Sequence, residues 1–170
     1  MTADEMKAEI VRIAHWKSVA GGRDTKHVLR WHLPKVGATE EQIRRCEKLI
    51  NQSIPSDFRT FLSLANGWPG FHVLTDLFGT DEISGQLESV MRRPDVEAFL
   101  FSAKIPKHSL IPIGASNEDI DLFLLVSDKE SSLPGGVIWL AGHEVERFST
   151  FSDFLSAMVN YNAIIAREIV

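Results

Sequence analysis

Between Glu40 and Ala65 the apolar residues return at intervals of three and four. Ile43, Cys46, Leu49 and Ile50 form one stripe, and Glu40, Glu41, Arg44, Arg45, Glu47 and Lys48 fill the opposite side. That is a helical period. Thr39 followed three residues on by Gln42 is a capping-box pair, which satisfies the backbone donors left open at a helix start. Pro55 disfavours helical geometry at Ile54, so the first helix ends before it. A second helix begins at Ser56 or Asp57, with Phe58, Phe61, Leu62 and Ala65 turned inward. Asn66-Gly67 closes it, because both residues tolerate the left-handed conformation of a helix C-terminus. Trp68-Pro69-Gly70 is expected to open a loop.

On either side of this segment the pattern changes twice. Residues 3–20 read as a helix with Thr2 and Glu5 as a second capping box and Met6, Ile10, Ile13, Ala14 and Trp16 on its apolar face. Gly21-Gly22 is expected to break it. A shorter helix is predicted over Asp24 to Trp31. Phe71 to Leu74 reads as a short strand, Asp81 to Val90 is ambiguous, and Pro94 with Val96, Phe99 and Leu100 marks another helix start. Further on, Leu110 to Ile113 is an apolar run with Pro112 inside, a strand with an edge or irregular side. Leu122 to Val126 is apolar at every position, which suits a central strand covered on both faces. Leu133-Pro134-Gly135-Gly136 is a turn. Val137–Leu140 and Val145–Phe148 flank Gly142-His143-Glu144 as a hairpin. A last helix from about Thr150 turns Phe151, Phe154, Leu155, Met158 and Val159 inward. Helices first, strands gathered in the middle and one closing helix predict an α+β fold with an antiparallel or mixed, curved sheet.

Four pieces of this pattern, in order, resemble the SUKH superfamily, which contains bacterial immunity proteins and fungal regulators of cell-wall assembly. They are Ile54-Pro55 with Phe58, Phe61-Leu62 and Asn66-Gly67; Leu110-Ile111-Pro112-Ile113-Gly114; Asn117-Glu118-Asp119-Ile120-Asp121 with the strand after it; and Phe148 to Leu155. The likeness covers residues 36–160 of a single domain, with residues 1–35 as a helical extension. Residues 69–104 match no part of it. The resemblance implies the same α+β architecture and a protein-binding role.

Composition adds exclusions. The chain has 170 residues, 44% hydrophobic and 24% charged, ordinary for one globular domain. The single cysteine, Cys46, falls on an apolar helix face and reads as a small buried hydrophobe. The charged segment MTADEMKAEI has no apolar core of a secretory signal, and no apolar run reaches the ~18 residues that span a bilayer. A cytoplasmic location and no membrane contact are expected. Charge is uneven. Residues 76–130 hold eleven acidic against five basic residues, whereas residues 1–36 hold four against seven. An acidic middle steers a basic partner and argues against gripping nucleic acid directly. The other reading of these acids is solvated loops.

No constellation points to catalysis. The six histidines show no ligand spacing, and there is no Gly-x-Ser-x-Gly elbow or phosphate loop. Asn117, Glu118, Asp119 and Asp121 lack the glycine and distal glutamate of a calcium loop. No cofactor or metal is expected. Trp16, Trp31 and Trp139 read as core or core edge. Trp68, placed after a helix stop, is either an interface anchor or a lid folded over the sheet, with His72 and Asp76 beside it. The resemblance to the SUKH superfamily implies a non-catalytic immunity protein that occludes a cognate toxin, a basic nuclease-type domain among the candidates. The contact residues expected are Trp68, Asp76, Asp81, Glu82, Glu118, Asp119 and Asp121. The alternatives are a regulatory module with several partners, or an enzyme whose site carries no recognisable motif.

Overall fold

The computed structural model describes residues 1–129 and 131–169. Among them the elements run α1 (Ala3–Arg23), α2 (Glu40–Ile50), α3 (Ser56–Leu64), β1 (Trp68–His72), β2 (Thr75–Leu77), α4 (Thr80–Met91), α5 (Pro94–Ala103), β3 (Leu110–Ala115), β4 (Asp121–Val126), β5 (Val137–Ala141), β6 (Glu144–Phe148) and α6 (Phe151–Glu168). The six strands form one antiparallel meander in sequence order. The fold is α+β, with helices before the sheet and one helix after it.

Both capping boxes form. Thr2 and Thr39 accept from the backbone of Glu5 and Gln42, whose side chains reach back to the cap N–H groups at 2.7 and 2.8 Å. Helix α2 and the start of α3 have their boundaries where the caps and Pro55 put them, with Asn51 in the left-handed conformation after α2. Helix α3 ends earlier than Asn66-Gly67 because Ala65 is extended and bridges to Val36. Leu49 is the exception. It stands at the margin of the stripe and is exposed.

Three expectations fail near the N-terminal third. Helix α1 passes through Gly21-Gly22 to Arg23. Glycine costs about 1 kcal/mol per helical position, but Arg23 donates to the Ala166 carbonyl of α6 and the Trp31 side chain lies against Gly21. The predicted helix over Asp24–Trp31 does not form. The Asp24 carboxylate accepts from the Leu29 N–H at 2.6 Å and His27 is left-handed, the local side-chain bonding by which aspartate competes with a helix. Residues 24–38 are instead an extended arm, and Trp31 stands 42% exposed on it rather than in the core.

The third failure is Trp68. It begins β1 instead of a loop, pairs with Leu77 and is 0% exposed. The residues the sequence left ambiguous form α4, with Glu82 reaching back to the Gly79 N–H.

The sheet curls around α6. A flat sheet would set β1 and β5 about 19 Å apart, yet the His72 and Trp139 rings are 5.2 Å apart. Phe71, Phe123 and Phe148 each meet Phe154 of α6. Leu122 and Leu124, on the alternate face of β4, are equally buried, and α4 packs on β3 as cover. Strand β3 has its register shift between Pro112 and Gly114 and meets β2 only at its end, as a proline inside a strand requires. Helix α1 packs along α6, so residues 1–35 are built into the body of the domain.

Candidate protein-interaction surface

The meander sets three reversals at one end of the sheet. His72 faces Thr75 across β1–β2, Ala115 faces Leu122 across β3–β4, and Leu140 faces Glu144 across β5–β6. Asp76 pairs with Ala115, and Leu122 with Leu140, so all three hairpins close in one row. Residues 73–74, 116–120 and 142–143 therefore share one surface. Glu118, Asp119, Ile120, His143, Glu144 and Val145 are exposed on it. A cleft of about 500 Å³ beside it separates the α5 face of Asp95, Ala98, Phe99 and Ser102 from Gly142, His143 and Glu144.

The expected contact residues divide. Glu118 and Asp119 are at this turn end. Ser116 Oγ accepts from both their N–H groups at 3.0 and 2.9 Å, and the Asp119 carboxylate accepts from the Ile120 N–H at 2.7 Å. Asp121 is half-buried and accepts from the Trp139 indole at 2.6 Å. Burial pushes its carboxyl up and the Asp119 charge adds to this, while the indole N–H acts the other way. Asp76 accepts from the Gly70 N–H at 2.6 Å, so it closes the β1–β2 hairpin. Asp81 is exposed at the start of α4, beyond the far end of β2. Glu82 beside it is paired with Lys35 of the arm. Burial alone would raise the Glu82 carboxyl, but Lys35 and the Gly79 N–H hold it below the usual range. Trp68 is corrected outright. Its indole donates to the His32 carbonyl at 2.7 Å inside the fold, so it anchors the arm and offers no surface to a partner.

The arm was the larger omission. It lies along the free edge of β1, with Lys35 N–H on the Gly67 carbonyl at 2.9 Å and Val36 bridged to Ala65. Gly70 is required there, since it is left-handed and a Cβ would lie 2.7 Å from Arg30. Arg30 pairs with Glu118 and Lys35 with Glu82. Two of the acids expected to face a partner are thus met by cations of the same chain. Charge counts by sequence block pointed to a basic partner or to solvated loops, whereas the fold spends part of this charge within the chain.

Beneath the arm is a buried polar group. The Lys17 ammonium donates to the Gly70 and Arg30 carbonyls. Burial pushes it down to about 8, against the pull of Asp76. His72 is 6% exposed, edge-on to Trp139 and Tyr161, with no partner for Nδ1. Burial pushes it down to about 4, assisted by Lys17 and opposed by Asp119. The thiol of Cys46, pushed up to about 11 by burial, is an inert core group. Among the described residues no three His, Cys, Asp or Glu converge as a metal set, and no helix is long and apolar enough to cross a membrane.

Another cavity, of about 510 Å³, lies at the opposite end of the sheet, where Ile54, Pro55 and Asp57 face Lys129 and Thr150. The Asp57 carboxylate there accepts from Ser152, and Arg59 is held by Glu40 and Glu47. Most of its charge is used inside the fold.

The model of the SMI1 / KNR4 family (SUKH-1) matches residues 37–157, from the end of the arm to the middle of α6. The chain belongs to that family. SUKH-1 proteins are in general immunity or regulatory domains. No curated protein matches the chain. The matched span contains the whole sheet and its three turns, whereas α1, the arm to Val36 and the end of α6 lie outside it.

Proposed function

We propose that this SUKH-1 domain is a non-catalytic immunity protein that neutralises a cognate toxin by occlusion. Its turn end is laid over a cationic cleft and blocks substrate entry. The observation that supports this most is the gathering of three hairpin turns at one sheet end, with Glu118, Asp119 and Glu144 exposed beside Ile120 and Val145. Asp119 supplies steering, Glu118 and Glu144 add charge complementarity by exchanging Arg30 and Arg147 for the partner's cations, and the apolar pair supplies the dry contact that acids alone lack. Glu118 and Asp119 keep their place from the original contact set. Asp76 and Asp121 support the turns from within, and Trp68 drops out.

The test is co-expression with the product of the adjacent gene, scored for relief of toxicity and for co-purification. Rescue by the intact chain, and its loss in Glu118→Lys/Asp119→Lys with folding unchanged, supports the reading. A mixture of partners with no single tight complex would instead favour the regulatory role known in the same family.

A further inference from the structure

The group under the arm has a property that toxin binding does not use. His72 and Lys17 are both buried, and every element around them adds a constraint. From α1 comes the Lys17 ammonium. From β2 come Asp76, committed to the Gly70 N–H, and Thr75, whose Oγ1 is buried without a partner. Asp119 acts from the β3–β4 turn, with Asp121 behind it on the Trp139 indole. Strand β5 and helix α6 present the rings of Trp139 and Tyr161, the latter donating to Glu146 of β6 at 2.7 Å. The arm contributes the Arg30 carbonyl, while the Arg30 guanidinium is turned to Glu118. His72 Nδ1 has no acceptor in this setting. A proton placed there creates an imidazolium in the field of the Lys17 ammonium, faced by two aromatic rings.

We infer that His72 and Lys17 form an acid-sensitive latch, in which proton uptake by His72 undocks the arm from β1 while the rest of the domain stays folded. The release is local for a structural reason. The arm has no helix or strand of its own, and Lys17 lies at the bottom of a narrow gap roofed by Leu29, Arg30 and Trp31. Lifting that roof returns the ammonium to water and separates the like charges. Release also frees Glu118 from Arg30 and bares the edge of β1.

Hydrogen exchange of the full chain tests this, with rates corrected for the intrinsic effect of pH. If His72 titrates normally once the arm is free, lowering the pH from 7 to 4.5 favours release by roughly 50- to 100-fold. The amides of Lys35 and Asn66, which are bonded across the seam between the arm and β1, should lose about that much protection, while those inside α2 and α3 keep theirs. His72→Phe should remove the pH effect. His72→Gln, which carries no group that takes up a proton in this range, should do the same and serves as the second variant if His72→Phe does not fold. Equal acid release in His72→Phe or His72→Gln, or simultaneous loss of protection across all helices of the parent chain, would overturn the latch. None of these results bears on whether the turn end binds a toxin.

Discussion

The two lateral edges of the sheet are finished in opposite ways. At β1 the arm lies over the edge, a tryptophan is sunk beneath it, and Glu82 and Glu118 are neutralised by Lys35 and Arg30. Among the described residues β6 pairs only with β5, and Glu144, Val145 and Arg147 stand in solvent. An open edge invites pairing with another chain, and proteins blunt it either by covering it or by charging it. This domain does both, one at each side. The covered side is where stability is concentrated. The charged side, continuous with the turns, remains available for contact.

Substitutions on the covered side should be costly and those on the turn end nearly neutral for folding. The largest effect is expected for Trp68→Ala. It removes a fully buried indole and its bond to His32, and should cost about 3–5 kcal/mol by denaturant titration. Next is pH. The folded state holds His72 neutral near 4, whereas the unfolded chain titrates near 6.5. The unfolded state binds more protons in that window, so about 3 kcal/mol of stability is present above it and is lost as pH falls through it. Lys17 acts in the same sense between about 8 and 10.5, where stability rises with pH. Gly70→Ala should cost about 2 kcal/mol, combining left-handed strain with the Arg30 contact. Smallest of all, Arg30→Ala and Lys35→Ala should each cost less than about 1 kcal/mol, because their ion pairs are half-exposed. A loss at Glu144→Ala as large as that at Gly70→Ala would erase the contrast between the two sides.

Sequence legibility follows a similar division. The α2–α3 pair, the β5–β6 hairpin and the start of α6 were readable because their signals are local: a cap, a proline, a Gly at a turn, a stripe of fixed period. The arm was not readable. Its order comes from Lys17, Gly67, Ala65 and Trp68, partners up to tens of residues away, and a charge count cannot say which acid meets which base. Trp68 was misjudged for the same reason. Its neighbours Gly67 and Pro69 signal a turn, but the pairing with Leu77 and the His32 carbonyl make it core. On the turn end, the loop composition around Glu118 and Asp119 placed them before β4, where they lie exposed. The groove wall on α5 was missed, because nothing in Pro94–Ala103 indicates that it stands opposite His143.

The most direct test of the proposed occlusion surface is the affinity of the full chain for a toxin that co-purifies with it, compared with that of Glu118→Lys/Asp119→Lys, with thermal melting measured on both. The expected result is a loss of at least about tenfold in affinity with the melting temperature essentially unchanged. An affinity equal to that of the parent chain would contradict it and move the interface away from the hairpin turns.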